Sequence, residues 1–156
     1  MAYTPAPSKS PFGFPQVHSD SNSTRVTNGG EIFNIKVAIS SDTADAAILY
    51  TVPANLTLLV LPWVTYEVTT GFSGGTSSAI GLSSSATGLT TKGDIHGGAS
   101  GDVAATLTAG IKRGTTGAKI ASPGAVLTAG STIRFDRVTS AFTAGAGYVN
   151  IPVMTL

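Results

Sequence analysis

The sequence predicts an all-β protein, in which an antiparallel β-sandwich or jelly-roll-like domain follows an extended N-terminal arm. Three observations support this fold class. Apolar residues alternate with polar ones in several short segments, as they do in half-buried strands. Glycine-rich turns separate these segments, which is typical of sandwiches, jelly rolls and barrels. The first part of the chain instead contains Pro5, Pro7, Pro11 and Pro15, which remove backbone donors and exclude a helix or a central strand.

We therefore divide the chain into an arm, residues 1–30, and one domain, residues 31–156. A length of 156 residues suits a single domain with a single core. The arm carries three aromatic side chains that are candidate contacts with a partner: Tyr3, Phe12 and Phe14. We interpret the arm as docking on a neighbouring subunit, with a strap packed on its own domain as the alternative.

Alternation and β-forming residues locate the strands of the domain. Strands are predicted over residues 35–39, 47–52, 56–69, 79–83, 118–120, 125–127, 131–138 and 147–156. Residues 56–69 have the strongest β signal, although Pro62 requires an edge position or a bulge there. We expect Trp63, Tyr66 and Val68 to supply much of the core, and the apolar neighbours of Trp63 argue against a sugar-binding role for it.

Glycine and hydroxyl residues dominate the connections between these strands. Residues 71–101 read as long surface loops around one short strand, and Asp102 could cap a helical turn over residues 103–107. The tripeptide Thr-Ala-Gly recurs, ending at Gly110, Gly130 and Gly145. We interpret it as turn chemistry in which glycine supplies a positive φ.

Charged residues are scarce. They make up 11% of the chain, against about 25% in an average domain, while hydrophobic residues make up 42%. Mixed charges keep domains apart in solution, and interface cores are poor in charge. We therefore expect other protein molecules to cover much of this surface in the working state. A secreted β-domain rich in small residues is the alternative.

Other bulk properties exclude several classes of function. A formal net charge of +1 does not fit a strongly basic nucleic-acid binder. The absence of cysteine removes disulfides, thiolate zinc sites and cysteine nucleophiles. The longest apolar run, residues 56–64, is too short to span a membrane. Residues 1–15 lack the basic and apolar regions of a signal peptide, so we expect the protein to be made and assembled in a cytoplasm.

Histidines are the first candidates for chemistry. His18 lies in the arm, and His96 lies in a glycine-rich stretch over residues 92–98. Asp94 and His96 fall on one side of an extended segment, but two ligands do not make a specific metal site. We interpret this stretch as a solvated loop and expect no metal and no cofactor.

Carboxylates and hydroxyls give no stronger signal. Glu31 and Glu67 are the only glutamates, and they would form a glycosidase pair only if the fold brought them close. We interpret them as two exposed strand carboxylates. Ser73 lacks the spacing of a nucleophile elbow. Asp42 and Asp45 are interpreted as turn caps rather than calcium ligands.

Two parts of the chain suggest a repeated plan. Residues 70–82 place the turn Thr-Gly-Phe-Ser-Gly-Gly-Thr before Ile-Gly-Leu, and residues 126–131 and 143–149 complete the layout. Over residues 47–156 the chain resembles small tailed-phage virion proteins, in particular head decoration or cement proteins. The resemblance implies a β-sandwich or jelly-roll protein, commonly trimeric, that clamps neighbouring major capsid subunits in the virion.

We therefore expect a non-enzymatic structural virion protein that binds and stabilises an assembled capsid. Its expected partners are the major capsid protein and copies of itself in a homotrimer, with no nucleic acid and no membrane. The arm and the loops would make the contacts. One alternative is a tail, baseplate or host-adhesion component with glycan contacts on the loops of residues 71–101. The second alternative is a small β-fold sugar-binding module or hydrolase.

Overall fold

The computed structural model describes residues 30–74, 78–97, 101–103, 107–117, 119–120, 125–138 and 140–156. The arm, apart from Gly30, therefore lies outside the described residues. The described residues form ten strands: β1 Ile32–Ser40, β2 Ile48–Thr51, β3 Leu58–Val60, β4 Thr65–Ser73, β5 Ala79–Ser84, β6 Asp102–Val103, β7 Gly110–Arg113, β8 Val126–Leu127, β9 Thr132–Val138 and β10 Ala144–Thr155. Among the described residues no helix is long and apolar enough to cross a membrane.

The strands form two antiparallel sheets. The larger sheet has six strands, in the order β7-β4-β10-β3-β8, with β1 on the other side of β10. The smaller sheet has the order β2-β9-β5-β6. Both β3 and β4 run antiparallel to β10 and follow one another along it, so they are two halves of one strand. The prediction that Pro62 disturbs this strand is confirmed, since the regular strand is interrupted between Val60 and Thr65.

The connectivity is easier to follow when β3 and β4 are counted as one strand, and β7 and β8 as another. β7 pairs with β4, and β8 pairs with β3, so these two short strands also line one side of a single strand. The pairs are then nested: β1 with β10, β2 with β9, β3 and β4 with β8 and β7, and β5 with β6. Nested pairing of this kind in two sheets of four is compatible with a jelly roll.

Both sheets pack on one hydrophobic core, which makes the domain a sandwich. The alternation predicted for the last strand is confirmed, because Val149, Ile151 and Val153 are fully buried. In β9, Ile133 and Phe135 are buried in the same core. The all-β antiparallel prediction is therefore correct.

Three local predictions are wrong or incomplete. Lys119 and Ile120 lie in a turn rather than a strand. Asp102 and Val103 form β6 instead of starting a helical turn, because they pair with the first two residues of β5. Strand β7 was not predicted, since Gly110–Arg113 contains no alternation of apolar residues.

The three Thr-Ala-Gly glycines have the predicted positive φ, but only Gly130 lies in a turn, whereas Gly110 begins β7 and Gly145 lies in β10. Gly110, Gly130 and Gly145 have φ values of 112°, 78° and 140°. This region is unfavourable for residues that carry a Cβ. At Gly145 space is limiting as well, because a Cβ would lie 2.3 Å from the Phe72 ring.

Candidate functional site

The candidate metal pair is buried. His96 is 1% exposed and Asp94 is 6% exposed, so the prediction of a solvated loop is wrong. Asp94 Oδ2 accepts a hydrogen bond of 2.9 Å from the Thr91 backbone N–H and thereby closes its own turn. The His96 ring lies 5.5 Å from the Tyr66 ring in the core. Within the described part of the chain, no three His, Cys, Asp or Glu side chains form a group that could hold a metal ion.

Backbone pairing explains the burial of this segment. Residue His96 bridges Leu82 of β5 on one side and Thr116 on the other. Gly97 N–H also donates to the Thr115 carbonyl at 2.7 Å. At His96 the segment therefore pairs with the edge of β5 and links it to the residues that follow β7, which no local pattern in the sequence indicates.

Glu31 and Glu67 are far apart. The Thr155 backbone N–H donates to the Glu31 carbonyl, whereas Glu67 pairs with Tyr148 on β10. Residues 148 and 155 are separated by about 23 Å along an extended strand. A glycosidase pair requires roughly 5–9.5 Å between the carboxyl groups, so these two carboxylates do not form one.

Asp45 ties the turn after β1 to two other segments. Its Oδ2 forms an ion pair with Lys92 Nζ at 2.6 Å, and its Oδ1 accepts the Arg137 backbone N–H at 2.8 Å. Partial burial raises the pKa of Asp45, but these hydrogen bonds outweigh it, so its pKa lies below the usual value. Asp42 is exposed, and its backbone N–H donates to Ser40 Oγ.

Asp136 is a buried carboxylate on the outer side of β9. The Ser83 hydroxyl donates to its Oδ1 at 2.8 Å, and the Gly93 backbone N–H donates to its Oδ2 at 3.0 Å. Burial raises the pKa of Asp136, and the two hydrogen bonds only partly oppose that effect. The group fastens the segment around residue 93 to the smaller sheet.

This segment covers the outer face of the smaller sheet. Every residue of β5 is buried, although a strand with one solvated face would alternate. Cβ atoms at Gly97 and Gly101 would lie 2.6 Å from the Ile80 carbonyl oxygen and 2.8 Å from Ala79 Cβ. Glycine thus allows the backbone to lie directly on β5. The prediction of surface loops is wrong for this part of residues 71–101.

The outer face of the larger sheet is different. Partners in the register place four apolar side chains in one row across the sheet, with Met154 beside Ile32 and Leu59, and Val126 beside Leu59. Ile32 is 59% exposed and Val126 is 37% exposed, while Leu59 and Met154 are half-buried. We call these four residues the apolar row.

A polar group lies further along the same face. Lys36 Nζ forms an ion pair with Glu67 Oε2 at 2.5 Å and lies 4.5 Å from the centre of the Tyr148 ring. Both side chains of the pair are nearly half exposed, so the pair contributes about 0–1 kcal/mol. The two charges of this pair neutralise each other. The cross-strand partners that the register gives for the apolar row are themselves apolar.

Trp63 is exposed, so the prediction that it lies in the core is wrong. Val64, Tyr66 and Val68 are buried, and their even numbers place them on one side of the strand. Trp63 has the opposite parity and therefore points outward, with 56% of its surface exposed. Tyr66 and Val68 do contribute to the core, as predicted.

The three predicted partner contacts, Tyr3, Phe12 and Phe14, lie outside the described residues. Sequence reasoning did not identify the apolar row. Parity would have found part of it, because Met154 is out of phase with Val153 and Ile151. The complete row depends on the register of four strands, which no single segment contains.

No protein-family model and no curated protein matches the chain. Among solved structures, a chain described as "Cyanophage Pam1 capsid asymmetric unit" matches with a TM-score of 0.45 and 19% sequence identity, covering 91% of this chain and 96% of that chain. A similarity at this level does not establish a common fold or function.

Proposed function

We propose that the chain is a non-enzymatic structural protein of a phage virion, and that it binds and stabilises the assembled capsid as a decoration or cement protein. In this role it acts as a homotrimer, and its arm and loops contact neighbouring subunits. Tyr3, Phe12 and Phe14 remain the predicted contacts of the arm. A cement protein stabilises a shell because it binds the assembled form and not the free subunits.

The apolar row is the observation that carries this proposal. A row of apolar side chains that is half-buried in its middle and exposed at both ends is unfavourable in water, at about 25 cal/mol per Å² of apolar surface left accessible. The chain also has only 11% charged residues to keep such a surface from associating. Both properties favour a protein whose larger sheet is covered by other molecules.

The connectivity is compatible with the proposal. Jelly rolls include viral capsid domains, but also lectins and cupins. A fold shared by many functions does not select one of them. The sequence resemblance over residues 47–156 and the apolar row therefore support the virion role, and the connectivity adds only that the scaffold suits it.

The direct test is recovery of the chain from virions. We expect mass spectrometry of purified phage particles from the source culture to contain this chain in many copies. Particles stripped of it should rebind the recombinant full-length protein and become more resistant to heat. A Phe12→Ser/Phe14→Ser variant should rebind more weakly. Absence of the chain from particles, or no rebinding by the unaltered protein, would contradict the proposal.

Trp63 favours a second candidate, glycan binding by a tail or adhesion component. Exposed tryptophan beside polar groups is the surface that stacks on sugars, and Thr65 follows Trp63 on the same side of the strand with Asn150 and Arg113 as its cross-strand neighbours. A glycan array probed with the full chain tests this. Binding that is lost in Trp63→Ser supports this candidate, and an array without binding rejects it.

A further inference from the structure

We propose that the apolar row is the binding site for the N-terminal arm of a second copy of this chain. The inference deepens the proposed function, on which it rests, by naming the neighbour that receives the arm. It rests on four observations: the exposure of the row, the chemistry of the arm, the position of the arm's root, and the free edge of β1.

The row is long enough to contact one extended peptide segment. It crosses four strand positions, Ile32 on β1, Met154 on β10, Leu59 on β3 and Val126 on β8. At the usual spacing of neighbouring strands this is about 14 Å. Its two ends are its most exposed members, so nothing in the described part of the chain covers them.

The arm has the complementary chemistry. Tyr3, Phe12 and Phe14 are large apolar groups in a segment where prolines prevent a helix or a central strand. A proline-rich segment tends to be extended and has no interior of its own in which to bury aromatic rings. The rings need an apolar surface elsewhere, and the chain provides one on its own larger sheet.

The position at which the arm joins the domain, which we call its root, favours binding of the arm to another copy of the chain. Gly30 N–H donates to the Thr155 carbonyl at 2.7 Å, which fixes the root two residues before Ile32, at the edge of the row. Phe14 lies sixteen residues before Gly30, a reach of about 50 Å in an extended chain. An arm in the extended conformation that its prolines favour would carry Phe14 beyond the row of its own copy and within reach of a neighbouring copy.

Strand β1 offers hydrogen bonds beside the row. It pairs only with β10 among the described strands. Antiparallel pairing alternates, and the bonds at Glu31 and Ser41 show that odd-numbered residues face β10. The even-numbered residues Ile32, Asn34, Lys36 and Ala38 therefore direct their backbone N–H and C=O groups away from β10. The N–H of Ser40, the next even-numbered residue, already donates to Thr43 Oγ1. A segment that pairs with this edge lies beside Ile32, the first member of the row, and the rest of the arm can continue from there across the row.

Cross-linking between two marked copies tests the inference, because the chain has no native cysteine. One full-length variant carries Ser10→Cys in the arm, and the other carries Val126→Cys at the row. A short bismaleimide is added to the mixture, and the linked dimer is measured by mass spectrometry. We expect about ten-fold more linked dimer than with Ser10→Cys mixed with Ile48→Cys, because docking raises the local concentration.

Ile48 is the matched control position. It lies on β2 of the smaller sheet and is 61% exposed, close to the 59% of Ile32. Ile32→Lys introduced into the Val126→Cys chain should abolish the excess of linked dimer, whereas Ile48→Lys should leave it unchanged. Circular dichroism of each variant checks that the fold is retained.

Three outcomes would overturn the inference. Equal linking at positions 126 and 48 would show that the arm has no preference for the row. Linking only within one chain that carries both cysteines would show that the arm docks on its own domain. Insensitivity to Ile32→Lys would place the arm elsewhere. Rebinding to stripped particles without this cross-link would leave the proposed function standing and reject only the arm exchange.

Discussion

The outer faces of the two sheets differ in whether the chain itself covers them. On the smaller sheet, β5 is buried on both sides, because the chain lays Gly93, Gly97 and Gly101 directly across it. On the larger sheet, Ile32 and Val126 remain exposed at the ends of a continuous apolar row. The chain thus covers one sheet with its own backbone and leaves apolar side chains on the other.

The difference separates a face whose packing is satisfied within the chain from a face that can still gain packing from another molecule. The covered face is closed by a carboxylate, Asp136, whose hydrogen bonds are satisfied within the chain. The open face has apolar groups that gain free energy only when another surface removes them from water. Substitutions on the covered face should therefore change the free energy of unfolding, and substitutions on the open face should change association.

The largest expected effect is at Gly97. Gly97→Ala places a Cβ 2.6 Å from the Ile80 carbonyl oxygen, at a φ of +90°. Strain and overpacking together should lower the free energy of unfolding by roughly 2–4 kcal/mol. Urea unfolding measures this. Gly88→Ala is the control, because its φ is +82° but nothing lies within 4 Å; equal losses in both variants would contradict the close packing on β5.

A smaller loss is expected at Asp136. Asp136→Ala leaves the Ser83 hydroxyl and the Gly93 N–H without their acceptor in a buried place. Unsatisfied buried groups cost about 1–3 kcal/mol each, part of which relaxation and water recover. Asp42→Ala at an exposed position is the comparison and should change the free energy of unfolding by less than about 0.5 kcal/mol. A loss no larger at Asp136 would contradict its fastening role.

The carboxyl group of Asp136 should also make the free energy of unfolding depend on pH. Burial raises the pKa of Asp136 above the value of 3.8 for an unperturbed aspartate. Its favourable contribution is therefore fully present below that value and is lost as the pH rises through the folded pKa. The stability of the unaltered protein relative to Asp136→Asn should thus fall between acidic and neutral pH. Urea unfolding at several pH values measures the difference, and a rise with pH would contradict the assignment.

The smallest effect on unfolding is expected on the open face. Ile32→Lys and Ile48→Lys each replace an isoleucine that is about 60% exposed on an edge strand. Both should change the free energy of unfolding by about 0.5 kcal/mol or less. Only Ile32→Lys should shift the mass seen in sedimentation of the concentrated protein towards the monomer. A similar shift in both variants would mean that the two faces do not differ.

Sequence patterns predicted the parts of this fold that are local. The alternation of Val149, Ile151 and Val153 located β10 and its buried side, and the Thr-Ala-Gly tripeptides located three glycines with positive φ. Strand β7 was missed because Gly110–Arg113 forms by pairing with β4 and not by its own pattern.

The hydrophobicity of Trp63 predicts a place in the core, whereas its position, out of phase with Val64, Tyr66 and Val68, indicates the exposed side on which it lies. The burial of His96 and Asp94 could not be predicted from their neighbours. It depends on Leu82 and Thr116, which are distant in the sequence and close only in the fold. The apolar row likewise requires the register of four strands, so a candidate interface was visible only in the assembled sheet.

The central claim is that a protein neighbour covers the larger sheet in the working state. Hydroxyl-radical footprinting of the chain, free in solution and within the particle, measures this residue by residue. We expect Ile32, Val126 and Met154 to be protected from labelling in the particle, while Ile48 is labelled equally in both states. Equal labelling of the apolar row in the two states would contradict the claim.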